Sequence, residues 1–285
     1  MKIRSVLFAL WLCVVVAWLV FPLGYALSTS LQTGTALFRP ALLPDAPTLD
    51  NYRELFRHAF FAASVVNSVL VAAAVVLLSL AAGVTASYAL ARVDFFGRRA
   101  LLLTILSVSM FPQIAILSGM YQMFVAWRGV LDAALGLSWT RPWSLGWLAF
   151  SYLVFTLPFT TWTLTAYMRG IPQELEDAAR VDGAGYGTIV FRVFLPLLWP
   201  ALVTTGLMAF VTAWNEFLFA LTFTTREPER TVTVAISMIA GAADFQVPWG
   251  TIMAASVLAT LPVLALVLLF QQRLVAGLTA GAVKG

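Results

Sequence analysis

Only one cysteine and one histidine occur among the 285 residues, and their scarcity removes several chemistries at once. Cys13 has no second thiol with which to close a disulfide within the chain. His58, alone beside Arg57, cannot furnish a Cys/His metal cluster, an H-E-x-x-H helix or a Ser-His-Asp set, and reads as a solvated or interfacial side chain. No G-x-x-x-x-G-K-[ST] run is present, so the chain offers no phosphate loop for ATP, and neither catalysis, metal nor cofactor is expected of it. Charge is scarce too. Asp, Glu, Lys and Arg make up 11% of the residues, against about 25% in soluble domains, which excludes an ordinary water-soluble globule.

What remains is apolar: 61% hydrophobic residues and a mean hydropathy of +0.91 describe a chain that lives in lipid. Uncharged runs extend over 5–38, 59–91, 100–127, 142–168, 193–215 and 245–272. Each exceeds the roughly 20 residues needed to cross a hydrocarbon core about 30 Å thick. Six transmembrane helices are therefore expected, near 6–27, 62–91, 100–126, 144–169, 195–221 and 249–273, which makes an all-α membrane protein with both termini on one side. The start of the chain, with Lys2 and Arg4 before an apolar core, resembles a signal peptide, yet the apolar run continues past Pro22 without a small-x-small cleavage site, so a retained first helix is expected. The end that holds both termini carries ten Lys and Arg against five acids, and the opposite end seven against eight. The positive-inside rule then places both termini in the cytoplasm. The pI near 9.5 is a signal of topology, and nucleic acid is excluded as a partner because no soluble basic face exists.

The spans carry interruptions. Pro112, Pro158 and Pro262 fall in the third, fourth and sixth, where each removes a backbone hydrogen bond and should bend its helix, as a static kink or as a hinge beside a pathway. Thr160, Thr161, Thr163 and Thr165 follow Pro158 and are placed to bond the freed carbonyls. In the second span Ala72, Ala73, Ala74, Ala81, Ala82, Gly83, Ala86 and Ser87 suit close helix packing. Polar residues inside the spans are costly unless they meet a partner or a water-filled cavity. Asn67, Gln113, Trp214, Asn215 and Glu216 are accordingly candidates either for structural bonds between helices or for lining a pathway or gate.

The segment from Ile171 to Pro200 is the one acid-rich passage between two long apolar runs. Pro172 suits a first helical turn, Glu174, Glu176 and Asp177 sit where the positive end of the helix dipole favours anions, and Glu176 with Arg180 forms an i, i+4 pair. Gly183, Gly185 and Gly187 are expected to stop the helix. About ten residues rise only about 15 Å, so this helix should lie across the membrane surface, with Ala178 and Ala179 letting a partner approach its backbone closely. Pro196 and Pro200 then open the fifth span.

The order Asp177-Ala178-Ala179, three residues, Gly183, nine residues, Val193, one residue, Leu195-Pro196 resembles the EAA loop of bacterial ABC-importer permeases, E-A-A-x3-G-x9-I-x-L-P, with Asp for Glu and Val for Ile. The final residues QQRLVAGLTAGAVKG are similar to the C-terminus of MalG-like permeases of maltose- and trehalose-type importers, and Asn67-Ser68, Met110-Phe111-Pro112, Arg180-Val181-Asp182-Gly183 and Trp214-Asn215-Glu216-Phe217 extend the likeness over nearly the whole chain.

That resemblance implies a type I importer permease fold, MetI-like, with a cytoplasmic coupling helix. It implies residues 1–61 as a first helix and outer segment, 62–275 as the permease core with a coupling loop at 171–196, and 276–285 as a cytoplasmic tail. Glu174, Asp177, Ala178, Ala179, Asp182, Gly183, Leu195 and Pro196 would couple to a homodimeric cytoplasmic ATPase that holds ATP and magnesium, and Gly281, Lys284 and Gly285 of the tail would contact it unless the tail is a frayed end. A homologous MalF-like second permease, an extracytoplasmic sugar-binding protein and membrane lipid complete the implied partners, in a bacterial or archaeal plasma membrane. The stretches 33–58, 128–141 and 224–249 are expected to be aqueous outer segments, with 242–248 compatible with a scoop into the binding protein. The implied function is permease of an ATP-driven sugar importer, of a disaccharide such as trehalose or maltose, working by alternating access. A secondary active transporter is the rival, and a single intramembrane carboxylate without an internal repeat argues against it.

Overall fold

The computed structural model describes residues 2–38, 43–57, 59–136, 141–241 and 247–282, and every regular element among them is helical. Helix α1 (Lys2–Ser30) leads through the short α2 (Asp50–Arg57) to α3 (Ala59–Arg92). Then follow α4 (Arg98–Ser109), α5 (Gln113–Leu135), α6 (Arg141–Arg169) and the short α7 (Glu174–Val181). The chain continues as α8 (Tyr186–Leu197), α9 (Trp199–Asn215), α10 (Leu218–Phe223), α11 (Val232–Gly241) and α12 (Trp249–Ala282). Among the described residues five helices are long and apolar enough to cross a membrane, and a sixth crossing is available from α8 and α9, which meet at an angle of 81°. The all-α, six-span expectation is met on that count, although three boundaries move.

The third span is not 100–126. Pro112 takes an extended ψ of 127° and caps α5, so the apolar run is split into α4 and α5 at Met110-Phe111-Pro112. A proline disfavours the helical region for the residue before it and fits best where no N–H is needed, which is the start of a helix. The crossing segment shifts to Gln113–Ala134, and Arg128 and Asp132, expected in a loop, ride on its last turns 4.0 Å apart. The fifth span, expected over 195–221, is broken twice. Ile189–Phe194 is wound as a π-helix before the bend at Leu198, and α9 stops at Asn215 because Glu216 turns to ψ 133°. The outer segment 224–249 is not wholly aqueous either. Val232–Gly241 is an apolar helix whose Val232, Val234, Ala235 and Ile239 are buried against α3 and α12. Its sequence carries no charge, and burying such a face is the favourable outcome. The segment 33–58 carries α2, whose Leu55 is fully buried.

Helices α3 and α6 form the spine, with α9 laid across both. Their contact is close because the inward line of α3 is small and polar. Ala72, Ser79, Gly83 and Ser87 are buried, Ser79 and Thr156 share a hydrogen bond of 2.7 Å, and a Cβ at Gly83 would come within 2.7 Å of the Thr160 methyl. Such small-residue contacts let van der Waals packing replace the missing hydrophobic drive in lipid. The small residues do not all share that face. Ala73, Ala81 and Ala82 point outward. Pro158 and Pro262 lie inside α6 and α12, while Thr165 Oγ1 donates to the Thr161 carbonyl (2.7 Å) and Thr160 Oγ1 is buried without a hydrogen bond, so these threonines do not heal the gap at Pro158. Two apolar clusters result. One, around Leu148, Tyr152 and Phe219, fills the end nearer α11; the other, around Leu164, Ile189, Phe194 and Leu198, underlies α7. Helix α1 packs on α12 and otherwise presents Trp11, Trp18 and Leu19 outward, an apolar surface that only lipid or another apolar chain can cover.

Candidate functional site

The helix α7 is built as its sequence dictates at both ends. Glu174, Glu176 and Asp177 occupy its first turn, where the dipole favours them, and Glu174 rather than Pro172 opens that turn, two residues later than expected. At the other end Gly183 takes φ +80°, the Ala184 N–H donates to the Ala179 carbonyl (2.9 Å) and the Gly183 N–H to the Arg180 carbonyl (3.0 Å), a Schellman closure. Gly183 alone makes this stop. Gly185 is extended with a negative φ and Gly187 belongs to the following helix. The eight residues rise about 12 Å, too short to span a bilayer.

One acid of the three is turned inward. Glu176 is 3% exposed, and its carboxylate accepts the Tyr88 hydroxyl at 2.8 Å and an Arg180 N–H at 2.6 Å. Arg92 Nε stands 3.7 Å from the other oxygen, close enough to pair charges but without a hydrogen bond of its own. The rest of the Arg92 guanidinium is used by the turn that leads into α7. It donates to the Met168 carbonyl at 2.8 Å and to the Ile171 carbonyl, and lies 5.1 Å from the centre of the Phe194 ring. Tyr88 packs edge-on to the same ring at 5.6 Å. A single arginine and a single carboxylate thus pin together the last turn of α3, the end of α6, α7 and the π-wound segment. Arg180, over the Tyr186 ring at 5.6 Å, is held further above its usual guanidinium range by the Tyr88 hydroxyl and the Glu176 carboxylate, and stays charged at any working pH.

The opposite side of α7 is open. Leu175, Ala178, Val181 and Tyr186 are exposed, Val181 to 88%, beside the carboxylates of Glu174, Asp177 and Asp182. Of the expected coupling residues, Glu174, Asp177, Ala178, Asp182 and Gly183 lie on this open side, Ala179 and Leu195 are half-buried, and Pro196 is exposed at the bend. The acid at the motif position, Asp177, faces out; the buried one is its neighbour Glu176. Sequence reasoning paired Glu176 with Arg180 and missed Tyr88 and Arg92. Their spacing of four on the last turn of a span was the available signal, since an arginine ending an apolar helix needs a nearby acceptor.

The pathway candidates separate. Gln113 and Asn215 are exposed, Asn215 bonding only the Val211 carbonyl of its own helix. Asn67 is fully buried and donates both amide hydrogens, to the Pro228 and Arg230 carbonyls at 2.9 and 2.8 Å. Trp214 is buried, stacks on Phe210 and donates to the Ala259 carbonyl at 3.1 Å. Glu216 is 7% exposed and accepts the Phe219 and Ala220 N–H groups at 2.9 and 3.0 Å, capping α10 at its positive end. Asn67, Trp214 and Glu216 are therefore engaged inside the chain's own packing, not turned to an open path. The described residues contain no cluster able to hold a metal ion. Gly281 lies on α12, with nothing described of its surroundings, and His58, Lys284, Gly285 and most of the scoop segment lie outside the described residues.

The chain is similar to several permease proteins. The trehalose transport system permease protein SugB of Mycobacterium tuberculosis is 36% identical over 271 residues, 95% of this chain and 94% of its own. The trehalose/maltose transport system permease protein MalG of Thermococcus litoralis is 36% identical, covering 93% and 91%. The sulfoquinovosyl glycerol transport system permease protein SmoH of Agrobacterium fabrum is 38% identical, covering 93% and 89%. In three dimensions the chain superposes on a chain of a bacterial ABC transporter involved in the import of the acidic polysaccharide alginate, with a TM-score of 0.78 over 95% of this chain and 96% of that one at 21% identity, which establishes the importer-permease fold. Residues 79–279 match the binding-protein-dependent transport system inner membrane component family, and with the relatives above this shows that the chain belongs to that family and is a multi-pass membrane permease.

Proposed function

We propose that the chain is one of two permease subunits of an ATP-driven importer of a disaccharide of the trehalose or maltose type, with α7 as the helix through which a cytoplasmic ATPase dimer moves it. The observation that carries this reading is the two-sidedness of α7. Its inner side is fixed by Glu176, Tyr88 and Arg92, while its outer side offers Leu175, Ala178 and Val181 with nothing over them. A helix attached so firmly within the chain and bare on the other side is suited to receive a push from a soluble partner and pass it to α3 and α6 as a rigid body. The excess of Lys and Arg at the α7 end supports a cytoplasmic position for that end and for both termini. The outward apolar surface of α1, which only lipid or another apolar chain can cover, supports a second, homologous permease as partner. A binding protein as sugar donor is supported by the family and by the alginate system, whose structure is a complex with its pentasaccharide-bound periplasmic protein.

The sugar class is supported by relatives whose names specify trehalose, maltose and a sulfoquinovosyl glycerol. Ala178→Asp places a charge on the bare side of α7 without touching the Glu176 clamp. The variant is expected to insert and assemble with normal thermal stability while ATP-driven uptake of radiolabelled trehalose or maltose into proteoliposomes is lost. Uptake at the native rate would overturn the role of α7. Uptake of neither sugar by the unaltered complex would overturn the substrate class.

A further inference from the structure

A second charged feature lies on the same end of the molecule, outside the α7 clamp. Arg98, Arg99 and Arg169 line the mouth of a recess of about 430 Å³ whose walls are Leu102, Leu103 and Trp162. The position follows from the chain: Arg169 ends the spanning helix α6, and Arg98 and Arg99 open α4 six and seven residues after α3 ends at Arg92. The recess thus begins where two spans run out. Trp162 lies seven residues before Arg169 on α6, about 10 Å deeper along the axis, so the site is cationic at the rim and apolar below.

The cations are only partly satisfied from within the chain. Arg98 pairs with Asp94 at 2.8 Å, but that carboxylate is 96% exposed and lies at the rim. Arg169 donates to the Leu90 carbonyl at 3.3 Å. Arg99 is exposed and forms no ion pair among the described residues. Beside them Phe95 and Phe96 are exposed, Phe96 fully, on the turn that leads into α4. Phe rings exposed on a turn next to arginines at the end of a span suit the headgroup–acyl boundary, where apolar side chains enter the lipid while cations stay at the headgroups. Three guanidinium groups above a wall of Leu and Trp match an anionic headgroup that carries acyl chains. A soluble anion would leave Leu103, 60% exposed, and Trp162 uncovered.

We propose that this recess binds an anionic phospholipid of the leaflet at the α7 end. The phosphate lies among Arg98, Arg99 and Arg169, and the upper acyl chains run along Leu102, Leu103 and Trp162. Basic pockets between spanning helices recognise headgroups through just these contacts. The inference requires only that the chain spans a membrane, and it is independent of the sugar and of the role of α7.

The test uses the full chain with its accompanying subunits in nanodiscs of phosphatidylcholine, with and without phosphatidylglycerol. Retained lipid is read by mass spectrometry and stability by the thermal midpoint. The unaltered protein is expected to retain phosphatidylglycerol selectively and to melt higher with it. Arg99→Gln with Arg169→Gln should weaken that retention on the order of thirtyfold, since each interfacial cation contributes about a factor of five, and the corresponding lysine pair should keep most of it. Arg99→Gln alone removes no hydrogen bond or ion pair among the described residues and guards against misfolding; it should weaken retention about fivefold. Equal retention by the unaltered and doubly substituted proteins would overturn the proposal. So would an equal thermal shift with inorganic phosphate, which marks a soluble-anion site, or loss of a bound subunit with lipid retention unchanged, which marks an acidic protein surface.

Discussion

Three residues show how much hangs on single groups. Glu176 holds a charge pair with Arg92 in which the side chains are 4% and 9% exposed, and removing one partner of such a pair strands the other. Glu176→Ala should therefore destabilise the α7 end by about 3–5 kcal/mol by chemical denaturation in detergent. Glu176→Gln keeps an acceptor for Tyr88 and should cost less. A Glu176→Ala protein that melts like the unaltered one would show that the clamp is not structural. Gly183 differs in kind, because a Cβ there would meet nothing within 4 Å. The only penalty for a side chain is its positive φ of 80°, about 1–2 kcal/mol for an ordinary L-residue and less for asparagine. Gly183→Val should thus lower coupled ATPase activity and stability more than Gly183→Asn, and equal effects would point to a steric cause instead. Glu216 caps two buried N–H groups. Glu216→Gln retains an acceptor for one of them, whereas Glu216→Leu leaves both without one, at about 1–3 kcal/mol each. Transport is expected to survive the first change and assembly to fail with the second.

At the scale of elements, the α3–α6 contact is the most specific joint in the molecule. A methyl on Gly83 would sit 2.7 Å from Thr160 Cγ2, so Gly83→Ala should cost about 1–3 kcal/mol by overpacking. Thr160→Ser deletes that methyl, and the double variant should recover most of the loss in a thermal double-mutant cycle; additive effects would mean that the helices simply move apart. The same scale shows where sequence was legible. The long uncharged runs specify α1, α3, α6 and α12 because a bilayer demands about 20 apolar residues and allows little else. The acid-started, glycine-stopped α7 is equally clear, since caps are local chemistry. The breaks at Pro112, Leu198 and Glu216 are not visible in hydropathy. Pro112 and Leu198 interrupt apolar runs without adding a charge, and the stop at Glu216, though marked by a charge, rests on its carboxylate turning back to cap α10. The apolar α11, read as part of an aqueous outer segment, is a helix because α3 and α12 offer it a face to bury. Of the site, the motif positions and the Glu176–Arg180 pair were readable; the inward turn of Glu176 was not, as its partners lie 84 and 88 positions away on another helix.

For the whole molecule the arrangement makes a mechanical claim. Arg92 belongs to α3 yet donates to the last turn of α6 through the Met168 carbonyl, and Arg169 at the end of α6 returns a bond to Leu90 of α3. Glu176 adds α7 to this knot. If an ATPase displaces α7, the ends of α3 and α6 must travel with it, because sliding α7 alone would break a buried charge pair. The chain's one cysteine, Cys13, is exposed on α1, so Cys13→Ser yields a background free of thiols for site-specific labels. Thr85 on α3 and Gln173 at the N-cap of α7 are both exposed, outside the clamp and outside the expected coupling residues. Spin labels at these two positions should keep one distance, within about 2 Å, between the nucleotide-free complex and the complex trapped with ATP, measured by pulsed electron resonance. In the Glu176→Ala background the same pair should broaden or shift when ATP is bound, because the link is gone and the push is absorbed by α7. A distance that changes with ATP in the unaltered protein would mean that α7 moves on its own, and the route from surface helix to spanning helices would then have to run through the bend at Leu198.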